Sequence, residues 1–460
     1  MKVNVKKLNG NSEPLDIGKI LKWGEWACAD SPNVSFESIL AATEASFYDG
    51  VETAEINLAI CTQCEIMAMV SAQEEDYQLV EEYTHIARNL YIPTLLKKSN
   101  YFQSKYLTSD DILEGGEFKL TDTNIVPLPR YKLKSIIRLG VELDTYDPAL
   151  LDGSISDELF EYADSLLDYS YMNNLKFGGM RQFEGKYLRR IDGHLLEDPL
   201  QLQLLVALAA VRSDITFHPN CKTIEGQKEA LENYYRLNRN VEQNLPTPFL
   251  LCFRTNSKTY DSCCLVNMGD TNPSIRATQT VIGEATEAGA GLGVNMGRIR
   301  SKGTRFKKMG KHQGLLGYLG LSSKNLKANN QESRGGSGTI NVPIWTRDFY
   351  DLVMLKDVTG VEGENRYRHL DYCFSFSMYL VEKIRKNEKI LLASPHTLLP
   401  SGKTIYEAFF TNFPEGGYDD SEFIAFCEEK LKDPNIPYVN NENSGTGKAG
   451  SFAYTYALDL

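Results

Sequence analysis

Apolar and polar positions divide the chain into a largely helical first half and an alternating second half. The runs Asp16–Ala27 and Glu225–Arg239 place apolar residues close to helical spacing. After Leu245, short apolar runs typical of strands, such as Phe249–Phe253 and Thr339–Ile344, alternate with helical stretches. This alternation predicts an α/β fold with a largely parallel sheet.

Turn and cap signals set the predicted limits of the segments. Asn9-Gly10 after an alternating run predicts a hairpin, and Thr53 and Ser156 are each placed to cap a helix. The predicted segments are a helical module with a β entry (1–93), a mainly helical domain with an irregular insertion near 104–134 (94–240), an α/β domain (241–439) and a divergent tail (440–460).

Composition narrows the class of protein. A net charge of −12 over 460 residues argues against broad binding to DNA or to an anionic membrane, although nucleotides remain compatible with it. The N-terminus lacks the apolar core of a signal peptide, and the longest apolar run, Leu204–Val211, is too short to span a bilayer. Nine cysteines indicate a reducing compartment, so a cytoplasmic location is predicted.

Two short motifs favour structure over chemistry. Cys61 and Cys64 form a CxxC pair without a second ligand pair nearby, so core thiols are predicted and no metal site. The glycine run Gly291–Gly297 superficially matches a dinucleotide fingerprint. An apparent helix precedes it and basic residues follow it, so a tight turn beside a nucleotide is the better interpretation.

Four motifs fall within one window and carry a resemblance when taken in order. They are Leu245-Pro246-Thr247-Pro248, Asp261–Leu265, Met268-Gly269-Asp270 and Gly289–Arg300. Together they resemble the large (catalytic) subunit of class I ribonucleotide reductase. The resemblance implies an N-terminal helical ATP cone, then a helical domain, then the first half of a ten-stranded α/β barrel.

The resemblance gives the chain a reducing thiol. Removal of a ribose 2′-hydroxyl needs two electrons and two protons, which a pair of thiols supplies on becoming a disulfide. Ser262-Cys263-Cys264-Leu265 matches the first barrel strand of the family, so Cys263 is the candidate reductant. Ser262 and Thr247 would hydrogen-bond the substrate, and Cys264 should face the opposite side of the strand.

Nucleotide sites are implied in two places. Asp270, Thr271, Asn272, Arg300 and Lys307 match the family's effector-specificity site, with Asn272 and Lys307 as departures from its usual residues. The run Gln331–Gly338 resembles the mobile loop that reports the effector to the substrate, so Arg334 is predicted to bind substrate. The expected ligands are deoxynucleoside triphosphates, with magnesium; no tightly bound cofactor is predicted.

The N-terminal module resembles the regulatory ATP cone of the family. Lysine and backbone groups beside a hairpin can hold a triphosphate, here ATP or dATP. The candidate residues are those that match the cone: Lys7, Glu13, Pro14, Leu15, Asp16, Ile17, Gly18, Lys19, Thr53 and, on the last cone helix, Arg88.

The sequence does not contain the Asn-x-Cys-x-Glu motif that carries the family's radical cysteine. Ala425–Glu429 has a cysteine and a glutamate at the right offset, but alanine replaces the asparagine. We therefore expect an N-terminal piece of a split large subunit, with the C-terminal half on a separate chain. A radical-generating small subunit and, through the partner chain, thioredoxin or glutaredoxin complete the expected partners.

Two alternatives stay open at this stage. The chain is either a component of the reductase or a non-catalytic nucleotide-binding regulator derived from such a subunit. In the tail, Phe452, Tyr454, Tyr456, Leu458 and Leu460 alternate, which predicts a strand with one apolar face that adds to a sheet edge and helps to hold the partner half; a frayed terminus is the other interpretation.

Overall fold

A computed structural model describes residues 3–114, 118–119, 125–126, 128–306, 310–329, 336–359, 366–410, 419–439 and 452–456. The chain separates into two compact units, Met1–Tyr260 and Asp261–Leu460. The first residues of the predicted α/β segment, 241–260, thus lie in unit 1.

Unit 1 is mainly helical. Its described helices are α1 (Ile17–Ala27), α2 (Phe36–Thr43), α3 (Thr53–Gln73), α4 (Tyr77–Tyr106), α5 (Leu133–Glu142), α6 (Asp157–Ser165), α7 (Phe177–Gln182), α8 (Pro199–Phe217), α9 (Ile224–Arg239) and α10 (Thr247–Cys252). Its strands are short: β1 (Asn4–Lys6), β2 (Ser12–Pro14), β3 (Val51–Glu52), β4 (Phe118–Lys119), β5 (Ile125–Val126), β6 (Arg190–Ile191) and β7 (His194–Leu195).

Local signals explain how the first elements of unit 1 begin. The β1–β2 hairpin turns at Gly10, whose φ of 85° suits glycine. Asp16 caps α1 by accepting a hydrogen bond from the backbone N–H of Lys19. The prediction that Thr53 caps a helix is wrong: Glu52 is the N-cap of α3 and exchanges side-chain hydrogen bonds with Glu55, so Thr53 is the first helical residue.

Helix α4 crosses the predicted boundary at residue 93 and enters the predicted irregular insertion near 104–134. It continues through Pro93 to Tyr106. Proline usually ends or bends a helix because it lacks an N–H, but Leu90, Tyr91, Leu95 and Leu96 around it are almost fully buried. Burial on both sides of Pro93 therefore outweighs the local cost.

The core of unit 1 is built around the long helices. Helix α8 begins at the N-cap Asp198, and nearly all residues of its first half are buried. It is the one described helix that is long and apolar enough to cross a bilayer, and 56% of that apolar window is buried inside unit 1. This burial is that of a core helix.

Unit 2 alternates strands and helices. Its strands are β8 (Cys263–Asn267), β9 (Gly291–Asn295), β10 (Arg305–Phe306), β11 (Gly310–Lys311), β12 (Gly338–Pro343), β13 (Asp371–Ser375), β14 (Lys389–Leu392) and β15 (Ala453–Tyr456). Its helices are α11 (Asn272–Glu287), α12 (Leu316–Ala328), α13 (Phe349–Val353), α14 (Met378–Arg385), α15 (Ile405–Phe410) and α16 (Ser421–Leu431).

The central sheet of unit 2 confirms the predicted parallel arrangement. Its strand order is β13-β12-β9-β8, and all three pairings are parallel. Alternate residues of the strands, such as Leu292 and Ile340, enter a core with α11 and α12. A second core gathers Trp345, Phe409 and Phe423. The opposite face of the parallel sheet is the one that carries the candidate thiol.

Two further predictions of local structure are wrong. Phe249–Phe253 lies in and just after helix α10, because Pro246 caps that helix and Pro248 sits in its first turn, where a missing N–H costs little. The glycine run Gly291–Gly297 is mostly the strand β9 and not a tight turn. Gly293 makes room for a neighbour: a Cβ there would lie 2.5 Å from Cδ2 of Leu265.

The described part of the tail is a strand, as predicted. β15 pairs antiparallel with β14 of the same unit, so it is not frayed. The buried positions are Ala453 and Thr455, each 0% exposed, whereas Tyr456 is 36% exposed. The prediction of the buried face is therefore wrong by one residue, because small side chains fit against β14; Leu458 and Leu460 lie outside the described residues.

Candidate functional site

The first strand of the parallel sheet presents Cys263 on its accessible face. Along β8, Cys263, Leu265 and Asn267 are exposed, while Cys264 and Val266 are half-buried and pack on the core. This confirms the predicted alternation. The hydroxyl oxygen of Ser262 lies 3.7 Å from the Cys263 sulfur. The thiol is thus accessible and has a polar neighbour.

The same face continues across the sheet with small and polar side chains. Gly291 lies opposite Cys263, and Asn295 lies opposite Asn267. The Asn295 amide donates to Asn267 at 3.0 Å and to the Tyr406 hydroxyl at 2.6 Å. The accessible face thus combines a thiol, a glycine and two amides with the exposed Leu265 side chain, a mixture of apolar surface and a few polar groups that is typical of small-molecule sites.

The turn after β8 holds an acid–arginine pair. The carboxylate of Asp270 accepts hydrogen bonds from Nε of Arg300 at 2.6 Å and from its backbone N–H at 3.1 Å, and NH2 lies at 2.5 Å. Both side chains stay partly accessible, with exposed fractions of 9% and 16%. Two guanidinium nitrogens of Arg300 thus share one oxygen of Asp270, Oδ2, while the other oxygen takes the backbone N–H. An arginine oriented in this way presents a positioned cation, which suits phosphate recognition.

The neighbours of this pair include one residue that sequence reasoning missed. Nδ1 of His396 lies 3.6 Å from the Asp270 carboxylate. Its position follows β14 by four residues, and no motif in the sequence marks it. Thr271 caps α11 through its hydroxyl and Asn272 is the first helical residue, so both predicted residues lie at the helix start beside Asp270.

Unit 1 contains a cleft of about 700 Å³ beside the β1–β2 hairpin. Of the predicted cone residues, those that line it are Lys7, Glu13, Leu15, Asp16, Lys19 and Thr53. Lys7 and Lys19 reach the Glu13 carboxylate at 2.8 and 3.4 Å, and the hydrogen bond from Lys7 lowers the pKa of Glu13. The hairpin turn and helix α1 thus each bring a lysine to one cleft, a suitable arrangement for a polyphosphate.

Helix α4 supplies cations to the cleft that the sequence analysis did not identify. Lys97 and Lys98 line it, with Nζ of Lys97 4.7 Å from the centre of the Trp23 ring. Nζ of Lys98 also lies 2.8 Å from the nearly buried carboxylate of Glu184. The signal was the Lys97-Lys98 pair itself, which falls after the predicted end of the module at residue 93.

Arg88, the predicted basic contact, does not line this cleft. Its guanidinium donates to the carbonyl of Asn173 at 2.9 Å and to the side chain of Asn89. Pro14, Ile17 and Gly18 are also not among the lining residues. They form the end of β2 and the first turn of α1, which place the lining residues Leu15, Asp16 and Lys19.

The remaining predicted positions divide between unit 1 and the parts not described. Thr247 begins α10 in unit 1, with its hydroxyl 3.5 Å from that of Tyr187. Lys307 and Arg334 lie outside the described residues. Within the described ranges, no group of three or more His, Cys, Asp and Glu side chains is placed to hold a metal ion.

Comparisons with known proteins agree with this geometry. Residues 261–428, which contain Cys263, Asp270 and Arg300, match the family described as ribonucleotide reductase, barrel domain. Over 436 residues, 94% of its length, the chain is 28% identical to ribonucleoside-diphosphate reductase 1 subunit alpha of Escherichia coli K12, of which it covers 50%.

Relatives from a bacteriophage and from Dictyostelium discoideum are also similar to most of the chain. The chain is 28% identical over 439 residues to the alpha subunit of the enterobacteria phage T4 enzyme, covering 94% of the chain and 51% of that protein. It is 23% identical over 405 residues to the large subunit from Dictyostelium discoideum. The chain spans about half the length of the curated relatives it matches.

Proposed function

Because the chain is homologous to the large (alpha) subunits of ribonucleoside-diphosphate reductase, we propose that it supplies one redox-active cysteine and the effector sites of such an enzyme. The substrates would be ribonucleoside diphosphates and the products the 2′-deoxyribonucleoside diphosphates. The observation that carries this proposal is the accessible Cys263 thiol at the start of β8, beside Ser262, together with the Asp270–Arg300 pair, whose aspartate lies in the turn after that strand.

In this proposal, Cys263 supplies one of the two thiols that reduce the substrate. Two thiols give two electrons and two protons, the 2′-hydroxyl leaves as water, and the thiols end as a disulfide. Cys263 is one of the two, and Ser262 and Thr247 are the proposed hydrogen-bonding partners of the substrate. In this proposal, the second thiol and the cysteine that abstracts hydrogen would come from the remaining half of the subunit.

The Asp270–Arg300 pair and the adjacent start of α11 form the proposed effector-specificity site. In a bound deoxynucleoside triphosphate with its magnesium ion, Arg300 would bind the phosphates. Asp270, Thr271 and Asn272 would bind the sugar side of the same nucleotide. Lys307 and Arg334 complete the proposal as an additional phosphate contact and a substrate contact. The support is the fixed guanidinium and its position at the start of α11.

The cleft beside the β1–β2 hairpin is the proposed ATP/dATP site. Lys7, Lys19, Lys97 and Lys98 around one cavity give it the positive charge that a triphosphate needs. Arg88 has no part in this proposal, because its guanidinium is engaged with Asn173.

The proposed partners follow from the groups that the sequence lacks. They are the remaining half of the barrel, a small subunit that generates the radical, and thioredoxin or glutaredoxin as the reductant that acts through that half. That the remaining half is a separate chain stays a prediction. The intact mass of the polypeptide isolated from its native source tests it directly.

Reconstitution tests the proposed function. The chain is combined with the C-terminal half of a related alpha subunit and a small subunit, and formation of deoxynucleoside diphosphate is measured. We expect turnover that Cys263→Ser abolishes and Cys264→Ser, the matched control on the opposite face of β8, largely preserves. Nucleotide binding with no turnover in any reconstitution would favour the non-catalytic regulator, and full turnover by Cys263→Ser would refute the role of Cys263.

A further inference from the structure

The segment that follows Arg300 is held by its backbone amides, one after another. The N–H of Arg300 donates to Asp270, that of Ser301 to the Ser394 hydroxyl at 3.2 Å, and that of Lys302 to Asp348 at 3.0 Å. The next N–H, of Gly303, donates to the carbonyl of His312 at 2.7 Å. Four different parts of unit 2 thus hold four consecutive residues, which leaves Arg300 little freedom to turn.

Asp348 holds both ends of the loop that this segment begins. Its carboxylate accepts from the N–H of Lys302 and also from that of Leu315, at 3.2 Å. The side chain is buried, with 5% of the residue exposed, and the fully buried Ser301 lies 3.3 Å from Thr346, two residues before it. One buried carboxylate therefore binds the backbone at both Lys302 and Leu315 and fixes the position of each relative to the other.

Gly314 gives independent evidence that the backbone is fitted around this carboxylate. Its φ is +81°, and a Cβ there would lie 2.8 Å from Oδ2 of Asp348 and 2.9 Å from Cβ of Lys302. The approach of the two loop ends therefore depends on a residue without a side chain. A charged acceptor with two backbone donors is among the stronger neutral–ion contacts in a protein.

We propose that Asp348 is a positioning residue of the effector site: by binding the amides of Lys302 and Leu315, it holds Arg300 in the orientation that receives an effector phosphate. This inference rests on the proposed function, because it takes the Asp270–Arg300 turn as a deoxynucleotide site. Among the described residues, the hydrogen bonds that the Asp348 carboxylate accepts come from backbone amides, so its effect on the ligand passes through Arg300.

The test measures binding of dTTP to the full chain by equilibrium dialysis, with ATP binding at the unit 1 cleft measured in parallel. The dTTP binding that Asp270→Asn weakens defines the unit 2 site. We expect Asp348→Ala to weaken that binding about tenfold, and Gly314→Ala and Asp348→Asn to weaken it several-fold, with ATP binding unchanged. Gly317→Ala is the matched control, because a Cβ there meets nothing within 4 Å.

A general loss of stability would not reproduce this pattern. Asp164→Asn removes a second carboxylate, which accepts from the N–H of Leu133 in unit 1, and is expected to leave dTTP binding at the wild-type level. If the unchanged chain binds dTTP and the variants Asp348→Asn and Gly314→Ala bind it with the same affinity, the role of Asp348 is refuted and the proposed effector site is not. No dTTP binding by the wild-type chain would instead refute the proposed effector site on which it rests.

Discussion

The two units each contain an arginine held by a carboxylate, and the two pairs differ in what surrounds them. In unit 1, Arg254 and Glu197 are both 0% exposed, and Glu197 also accepts from the Tyr146 hydroxyl at 2.5 Å and from the N–H of Arg189 at 2.9 Å. In unit 2, the Asp270–Arg300 pair keeps part of its surface accessible, with His396 beside it.

This difference separates a structural ion pair from a binding site with the same chemistry. A buried pair with every acceptor position taken has no capacity for a ligand, and removal of one partner leaves an uncompensated charge. An accessible pair of the same residue types can exchange one partner for a phosphate. Burial of the surroundings, rather than the type of residue, therefore indicates which pair acts on a ligand.

Glu197→Ala should give the largest effect, because it leaves Arg254 buried without its carboxylate. We expect the free energy of unfolding of unit 1 to fall by about 3–5 kcal/mol, measured by urea denaturation. Arg300→Ala should change the free energy of unfolding of unit 2 by less than about 1 kcal/mol, since the Asp270–Arg300 pair is partly solvated. Equal losses in the two variants would remove the distinction between the pairs.

The thiols extend the comparison to reactivity. Cys64 is fully buried, and burial raises the pKa of its thiol to about 12, whereas Cys263 is exposed on β8. With iodoacetamide at pH 8 we expect Cys263 to be alkylated at least about a hundredfold faster than Cys64. Peptide mass mapping over time measures both rates in one sample. Comparable rates would mean that α3 opens readily or that β8 is covered.

A pH titration sharpens the comparison between carboxylates. Burial raises the pKa of Asp164 to about 6, although the N–H of Leu133 opposes this shift. A raised pKa means that stability present below the unfolded value is lost as the pH rises through 6. Relative to wild type, Asp164→Asn should therefore gain about 2 kcal/mol between pH 4 and pH 7.5 in urea denaturation. A constant difference over that range would contradict the assignment.

The smallest effect on stability is expected at the accessible pair. Asp270→Asn keeps the size of the side chain and one acceptor oxygen but releases the charge that orients Arg300. We expect the free energy of unfolding to change by less than about 1 kcal/mol and dTTP affinity to fall about tenfold. Calorimetric titration and urea denaturation of the same preparation measure the two. Lower stability with unchanged affinity would make this pair structural, like the one in unit 1.

The sequence predicted the elements whose signals are local. Ser156 caps its helix, Gly10 turns the first hairpin, and the alternation along β8 places Cys263 and Cys264 on opposite faces. The resemblance to ribonucleotide reductase large subunits agrees with the match of residues 261–428 to the barrel-domain family and with the 28% identity to the Escherichia coli alpha subunit. The cap, the turn and the alternation each depend on a few adjacent residues, so they can be recognised from the sequence without knowledge of the fold.

The misses depend on contacts between distant residues. Helix α4 passes through Pro93 because the surrounding side chains are buried, and this carries Lys97 and Lys98 to the cleft in place of Arg88. Thr455 is buried where a tyrosine was expected, because its hydroxyl pairs with that of Tyr350 at 2.6 Å. His396 lies beside Asp270 and Asp348 binds the segment after Arg300, both from distant sequence positions, so no local pattern could reveal them.

The order of strands in the parallel sheet affects how the protein behaves in concentrated solution. Among the described strands, β8 has a neighbour only on the β9 side, so its other edge offers unpaired amide and carbonyl groups. Leu265, 89% exposed, lies on that same strand. Concentrated solutions of the chain should therefore self-associate through backbone pairing, and light scattering should show growth that a thiol reductant does not reverse.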